Sequence, residues 1–157
     1  MRKRIIALVQ QETASPDQDW LNVEALAEVE ITSEDPAHPI ESALRPGGAS
    51  GWRAAGPGTQ TIRLLFTYPQ RLRRIWLRFV EARMARTQEY VLRWSADGGQ
   101  SFRDLVRQQW NFNPQGATSE TEDHHVELPA VTVLELSIIP DISGREAFAS
   151  LAQLRLA

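Results

Sequence analysis

The sequence predicts an all-β protein, an antiparallel sandwich of about eight strands. Two observations carry this. Residues 61–104 hold three successive runs that alternate with period two, and turn residues punctuate the chain at short spacing. In the first run Ile62, Leu64, Phe66 and Tyr68 alternate with Arg63, Leu65 and Thr67. In the second Ile75, Leu77 and Phe79 alternate with Arg74, Trp76 and Arg78, and in the third Tyr90, Leu92 and Trp94 alternate with Val91, Arg93 and Ser95. A strand points successive side chains to opposite faces, so each run presents one apolar face to a core. Pro69 is expected to stop the first run, since proline has no N–H for a ladder. Ser95-Ala96-Asp97-Gly98-Gly99 closes the third, because glycine accepts positive φ without a steric cost.

The remaining elements follow in order. Residues 1–19 read as an N-terminal arm. Met1-Arg2-Lys3-Arg4 before Ile5-Ile6-Ala7-Leu8-Val9 imitates the start of a signal peptide, but the apolar run ends at Gln10-Gln11-Glu12 and reads better as a short first strand. Residues 20–32 alternate Leu21, Val23, Ala25, Ala27, Val29 and Ile31 with mostly polar neighbours and predict a strand. Residues 33–58 are rich in Pro, Gly and Ser and predict a long loop with a short helix near Ile40 to Leu44; loops of that length are often functional. Phe102, Leu105, Val106 and Trp110 predict a strand that breaks at Asn111-Phe112-Asn113-Pro114-Gln115-Gly116. A polar loop is expected over 117–123, a short strand over 124–128, a turn at Pro129, a strand over 131–139 and a closing strand over 150–156. Two facing sheets would bury Ile62, Leu64, Phe66, Ile75, Leu77, Phe79, Tyr90, Leu92 and Trp94 together with Leu134, Leu136 and Ile138. Each such side chain contributes about 1.5–3 kcal/mol, enough for a core without metal or disulfide.

A chain of 157 residues with 42% apolar and 24% charged residues is an ordinary soluble domain. The absence of cysteine excludes disulfides and thiolate metal sites and fits a cytoplasmic location. No run approaches the ~20 apolar residues of a membrane-spanning helix. The net charge of −3 conceals segregation. Residues 12–41 carry nine acids and no Lys or Arg, whereas residues 63–107 carry ten arginines against four acids. Residues 111–128 are again acidic, with Glu120, Glu122, Asp123 and Glu127. Such blocks are expected to pair within one domain rather than to form a nucleic-acid stripe, since the arginines fall on alternating outward strand positions and Lys3 is the sole lysine.

Several motifs resemble a known family. Val29-Glu30-Ile31-Thr32-Ser33-Glu34, Ala43-Leu44, Gly51-Trp52 and Gln60-Thr61-Ile62-Arg63-Leu64-Leu65-Phe66 resemble the opening of a discoidin, or coagulation-factor type C, domain. Tyr90-Val91-Leu92-Arg93-Trp94-Ser95-Ala96-Asp97-Gly98-Gly99-Gln100-Ser101-Phe102 is similar to that family's strand and Ser-x-Asp-Gly turn, and Ala149-Ser150-Leu151-Ala152-Gln153-Leu154-Arg155-Leu156 to its last strand. The resemblance covers residues 20–157. It implies a galactose-binding-like jelly roll whose end loops bind sugars, lipid headgroups or proteins. Many sugar-binding members hold calcium, but Arg45 and Pro46 stand where an acid is usual and Gln153 where a carboxylate often sits, so no calcium or other cofactor is expected. The cysteines of the family's membrane-binding members are absent.

The resemblance places Trp52 in the core and makes Arg53, Arg83 and Arg86 candidate ligand contacts. Arginine offers five fixed donors that suit hydroxyls or carboxylates; the alternative for Arg83 and Arg86 is an ion pair with Glu81 or Glu89. In Arg107-Gln108-Gln109-Trp110-Asn111-Phe112-Asn113, the rings of Trp110 and Phe112 suit stacking on a sugar and Asn113 suits its hydroxyls, although spacing two places both rings on one face and equally fits a core role. His124-His125 does not predict a metal site, because strand neighbours point to opposite faces. No Gly-x-Ser-x-Gly, phosphate loop or His-Glu-x-x-His occurs, so no enzyme is expected. The expected function is non-catalytic binding of carbohydrate through loops at one end of the sandwich. The alternative is a protein-interaction or assembly subunit, oligomeric through the same fold.

Overall fold

The computed structural model describes residues 20–47 and 50–157; the arm expected over 1–19 lies outside them. Eight strands are present among the described residues: β1 (Ala27–Ile31), β2 (Trp52–Arg53), β3 (Gln60–Val80), β4 (Arg86–Ser95), β5 (Arg103–Phe112), β6 (Ser119–Ile139), β7 (Ser150–Leu151) and β8 (Gln153–Leu156). Two single-turn helices, α1 (Val23–Leu26) and α2 (Glu41–Leu44), accompany them. Every strand pairing is antiparallel. No helix among the described residues is long and apolar enough to cross a membrane.

Two strands of 21 residues, β3 and β6, run through both layers of the sandwich. The first part of β3 pairs with β1 and with the end of β6, as in Ile62↔Leu136, and β4 and β5 extend that layer in the order β1-β3-β6-β4-β5. The second part of β3 pairs with the start of β6 and with β8, as in Leu77↔Glu122 and Leu77↔Leu154, and forms the facing layer. The inner faces meet in one core. Ile62, Leu64, Ile75, Leu77, Phe79 and Leu92 are at most 1% exposed, and the Phe79 and Tyr90 rings stand 5.2 Å apart across the layers.

The bend corrects two expectations. Pro69 does not stop the first run, and Pro129 is not a turn. Between Leu65↔Val133 and Gln70↔Val131 four residues of β3 face one of β6, and Pro69 lies among those four. Between Gln70↔Val131 and Leu72↔Leu128 the excess reverses, and Pro129 lies on the longer side. A proline costs no ladder hydrogen bond where the ladder is already interrupted, and bulges bend a strand without ending it. The strand of residues 124–128 accordingly begins at Ser119, inside the expected polar loop.

Smaller differences have local causes. Residues 20–32 open with α1, because Asn22 caps it by accepting from the Ala25 N–H at 3.4 Å, and the strand starts only at Ala27. Trp94 is half-buried rather than core, since a register shift follows Leu92, and the Arg103 guanidinium lies 5.7 Å from its ring. The closing strand divides at Ala152, whose N–H donates to the Arg78 carbonyl. The helix expected near Ile40 is α2.

The segregated charges meet across strands. Arg74 grips Asp123 through two bonds of 2.8 Å, Arg45 binds Glu24 at 2.7 Å and Arg71 approaches Glu127 at 3.4 Å. Such exposed pairs add little stability. Glu135 differs, at 3% exposed between Arg63 (2.7 Å) and Arg93 (2.6 Å). Burial pushes its carboxyl up, but the two arginines outweigh that and hold it below the usual carboxylate range.

Gly51 sets the approach of the β2 loop to β7. Its φ is +65°, and a Cβ there would stand 2.6 Å from the Leu151 carbonyl oxygen and 2.8 Å from the Ala152 Cα. Gly51→Ala is expected to cost about 1–3 kcal/mol, read as a lowered urea midpoint. Gly56→Ala, which meets nothing within 4 Å, is expected to leave the midpoint near wild type.

Candidate functional site

One end of the sandwich gathers the long loops. The β1–β2 loop joins β2 through Asp35 N–H to the Arg53 carbonyl (2.8 Å) and Arg53 N–H to the His38 carbonyl (3.1 Å). The β6–β7 segment joins it through Ala54 N–H to the Ala149 carbonyl. The β3–β4 loop meets the β5–β6 loop through Glu81 N–H to the Thr118 carbonyl. Loops so tied present side chains from separate parts of the chain to one surface. Between them lies a pocket of about 530 Å³ whose polar lining includes Asp35, His38, Arg53, Glu81 and Arg83. Trp52 lies against it, 1% exposed, with its indole N–H donating to the Ser33 carbonyl at 3.0 Å.

Arg53 and Arg83 are thus brought together, from segments thirty residues apart in the chain. Both are exposed, and the Arg53 guanidinium stands 5.1 Å from the centre of the Phe148 ring. Arg86 is not beside them. It is 3% exposed and lies beneath the rim, where its Nε donates to Glu81 Oε1 at 2.8 Å. Its Nη1 donates to the Pro140 carbonyl at 2.8 Å and to Gln88 Oε1 at 3.3 Å, and its guanidinium lies 4.8 Å from the Phe112 ring. Phe112 is 2% exposed. Arg86 and Phe112 therefore have no surface to offer a ligand; the strand pleat turns them inward and the ion pair with Glu81 satisfies the buried charge. Trp110 is half-buried on the same inner face and packs against the core, so no open aromatic platform forms there. Asn113 is exposed in the β5–β6 turn and accepts from the Gln115 N–H at 3.0 Å.

Glu81 is the hinge of this arrangement. One oxygen accepts from Arg86 and the other from the Arg83 N–H at 3.0 Å. Burial alone would raise its carboxyl; hydrogen bonds from Arg86 and the Arg83 backbone hold it below the usual range. Sequence reasoning offered Glu81 only as a partner for a neighbouring arginine and did not find Asp35, His38 or Phe148. These sit in aperiodic loops, where spacing reports nothing about facing.

Behind the pocket a polar row runs between the layers. Gln88 and Tyr90 of β4 meet Glu120 and His124 of β6 across it. Tyr90 Oη and His124 Nε2 are 2.7 Å apart, and Gln88 reaches Glu120 Oε1 at 3.4 Å. Glu120 is 1% exposed. Burial and the neighbouring Glu122 push its carboxyl up to about 8. Burial pushes the His124 imidazole down and the Tyr90 hydroxyl up. His125 points outward, 3.6 Å from Asp123, so the two histidines do face apart.

No protein-family model matches the chain, and no curated protein matches it in sequence. Solved structures match its fold closely. A family 32 carbohydrate-binding module of Clostridium perfringens NanJ, solved with galactose, aligns at TM-score 0.65 and 14% identity, over 87% of this chain and 96% of that one. The fold is the galactose-binding-like sandwich. Chitosan-binding module 1 of a Paenibacillus sp. chitosanase/glucanase aligns at TM-score 0.64 and 15% identity, over 87% and 98% of the two chains. Reduced XRCC1, solved bound to the DNA polymerase β catalytic domain, aligns at TM-score 0.60 and 15% identity, over 84% and 95%.

The Glu120 shift has a definite sign. The folded state keeps a proton that the unfolded chain releases near pH 4.5, so stability is full below that value and falls as pH rises towards 8. His124 acts oppositely but only below its ordinary value of 6.5. Between pH 6.5 and 8.5 urea unfolding is therefore expected to show a loss on the order of 1–2 kcal/mol, and Glu120→Gln to flatten that dependence.

Proposed function

We propose that this domain is a non-catalytic binding module that holds carbohydrate in the rim pocket. The single observation that carries this is the pocket itself, an open cleft on the loop-bearing rim of a galactose-binding-like sandwich, lined by charged and polar side chains from two loops and the short strand β2. Structures of the same fold hold galactose and bind chitosan, as their names state. Arginine, histidine and carboxylate side chains supply the donors and acceptors that vicinal hydroxyls need, and the scaffold beneath them is rigid. Arg53 and Arg83 are the proposed ligand contacts. Arg86 positions Glu81 and, through it, the Arg83 backbone. Trp110 and Phe112 serve the core, and Asn113 shapes the neighbouring turn.

A second proposal, a protein-interaction module, is favoured by the apolar surface near this rim, where Val80 is 42% and Ile142 47% exposed. A neighbour of the same fold was solved bound to a polymerase domain, which is in keeping with this reading. The two proposals separate in one comparison. Wild type, Arg53→Ala/Arg83→Ala and Asn113→Ala are applied to a glycan panel and sized by light scattering. Carbohydrate binding predicts glycan hits that drop about tenfold or more in the arginine double variant and persist in Asn113→Ala. An empty panel together with a concentration-dependent rise in mass would favour the protein partner instead.

A further inference from the structure

The balance of donors and acceptors around the rim pocket names a ligand class. The pocket holds two carboxylates, Asp35 and Glu81, of which Glu81 is paired with a buried cation while Asp35 stays partly exposed. Glu81 Oε1 accepts from Arg86 and Oε2 from the Arg83 N–H. Asp35 Oδ1 accepts from the Ala37 N–H at 2.9 Å, and Oδ2 lies 3.6 Å from His38 Nδ1. The cations are not engaged in the same way. Neither the Arg53 nor the Arg83 guanidinium makes an ion pair or a side-chain hydrogen bond among the described residues. Arg53 stands 5.1 Å from the centre of the Phe148 ring, a contact that uses none of its N–H donors, and its charge helps hold the Glu81 carboxyl down. Arg86, beneath the rim, neutralises Glu81. With Arg86 set against Glu81, the described lining places Arg53 and Arg83 against Asp35 alone, so its accessible surface has a surplus of positive charge and of donors.

We infer that the pocket selects a carboxylated saccharide, a uronate-containing glycan, over neutral or cationic sugars, with Arg53 and Arg83 donating to the carboxylate. A planar carboxylate matches the guanidinium fork and forms charge-assisted bonds about twice as strong as those to neutral hydroxyls. This rests on the carbohydrate-binding proposal and adds the charge of the sugar. A polycationic glycan would meet Arg53 and Arg83 as like charges, a repulsion that Asp35 offsets only in part.

The test holds the sugar constant and changes only its charge. Trigalacturonate, its fully methyl-esterified form, neutral galactotriose, a sulfated galactan oligomer and chitotriose are titrated calorimetrically against the full chain at low and moderate salt. Trigalacturonate is expected to bind about tenfold tighter than its ester, to weaken with added salt, and to lose that advantage in Arg53→Gln and in Arg83→Gln. Arg78→Gln removes the same charge from an exposed outward strand position beyond the pocket lining and is expected to keep the advantage. Melting curves of all variants confirm folding before titration. Equal or tighter binding of the ester or galactotriose overturns the charge inference and leaves the carbohydrate-binding proposal standing. Binding of the sulfated oligomer without trigalacturonate, or equal loss in Arg78→Gln, also overturns it, since charge alone would then act without a carboxylate site. If no saccharide binds, both proposals fall.

Discussion

The structure depends on two strands that serve both layers. β3 and β6 bend together and pair with each other on either side of the bend, so neither sheet forms without the other. The bend needs places where ladder hydrogen bonds are missing, and the chain puts Pro69 and Pro129 there. A proline in mid-strand usually argues against a strand. Here it is tolerated because the pairing partner has already slipped register. The remaining strands then have fixed berths, β1 and β4 with β5 against one half of the pair and β8 against the other.

That geometry also decides where the chemistry sits. Each long strand starts and ends near the same rim, so the loops that follow Ile31, Val80, Phe112 and Ile139 converge. A buried arginine holds them. Arg86 reaches the β3–β4 loop through Glu81, the β6–β7 loop through Pro140 and the end of β5 through Phe112. An unpaired guanidinium would be costly at this depth; Glu81 and the Pro140 carbonyl take its Nε and Nη1 while Nη2 is left without a partner among the described residues, and the result is rigidity rather than large net stability. Arg145 reinforces the same junction, bonding Asp141 at 2.9 Å and the Ala85 carbonyl at 2.7 Å. These bonds order the backbone of the rim loops, while the exposed Arg53 and Arg83 side chains keep their own rotamer freedom.

The charge segregation resolves into strand pairing. Arginines on β3 face acids on β6 and β1 because antiparallel neighbours put opposite residues side by side. The rim departs from this pattern: Glu81 is paired with the buried Arg86, and two exposed arginines stand beside one partly exposed carboxylate, Asp35. One sandwich supports many ligands because such differences lie in loops and leave the apolar alternation untouched.

Before any coordinates, the chain determined the sandwich, most of its core and the Asp-Gly-Gly turn, where Asp97 accepts from Ser95 and Ser101 and both glycines take positive φ. Those features are local: period-two burial and turn conformation are written in consecutive residues. Tertiary structure alone decided that Pro69 and Pro129 lie within strands, since only pairing shows which N–H groups are needed. It alone separated Arg86, inward and paired, from Arg53 and Arg83, outward and free, and it alone brought Asp35 and His38 beside them. Arginines of equal chemistry differ only in what stands opposite, and that is set by contacts between segments far apart in the chain.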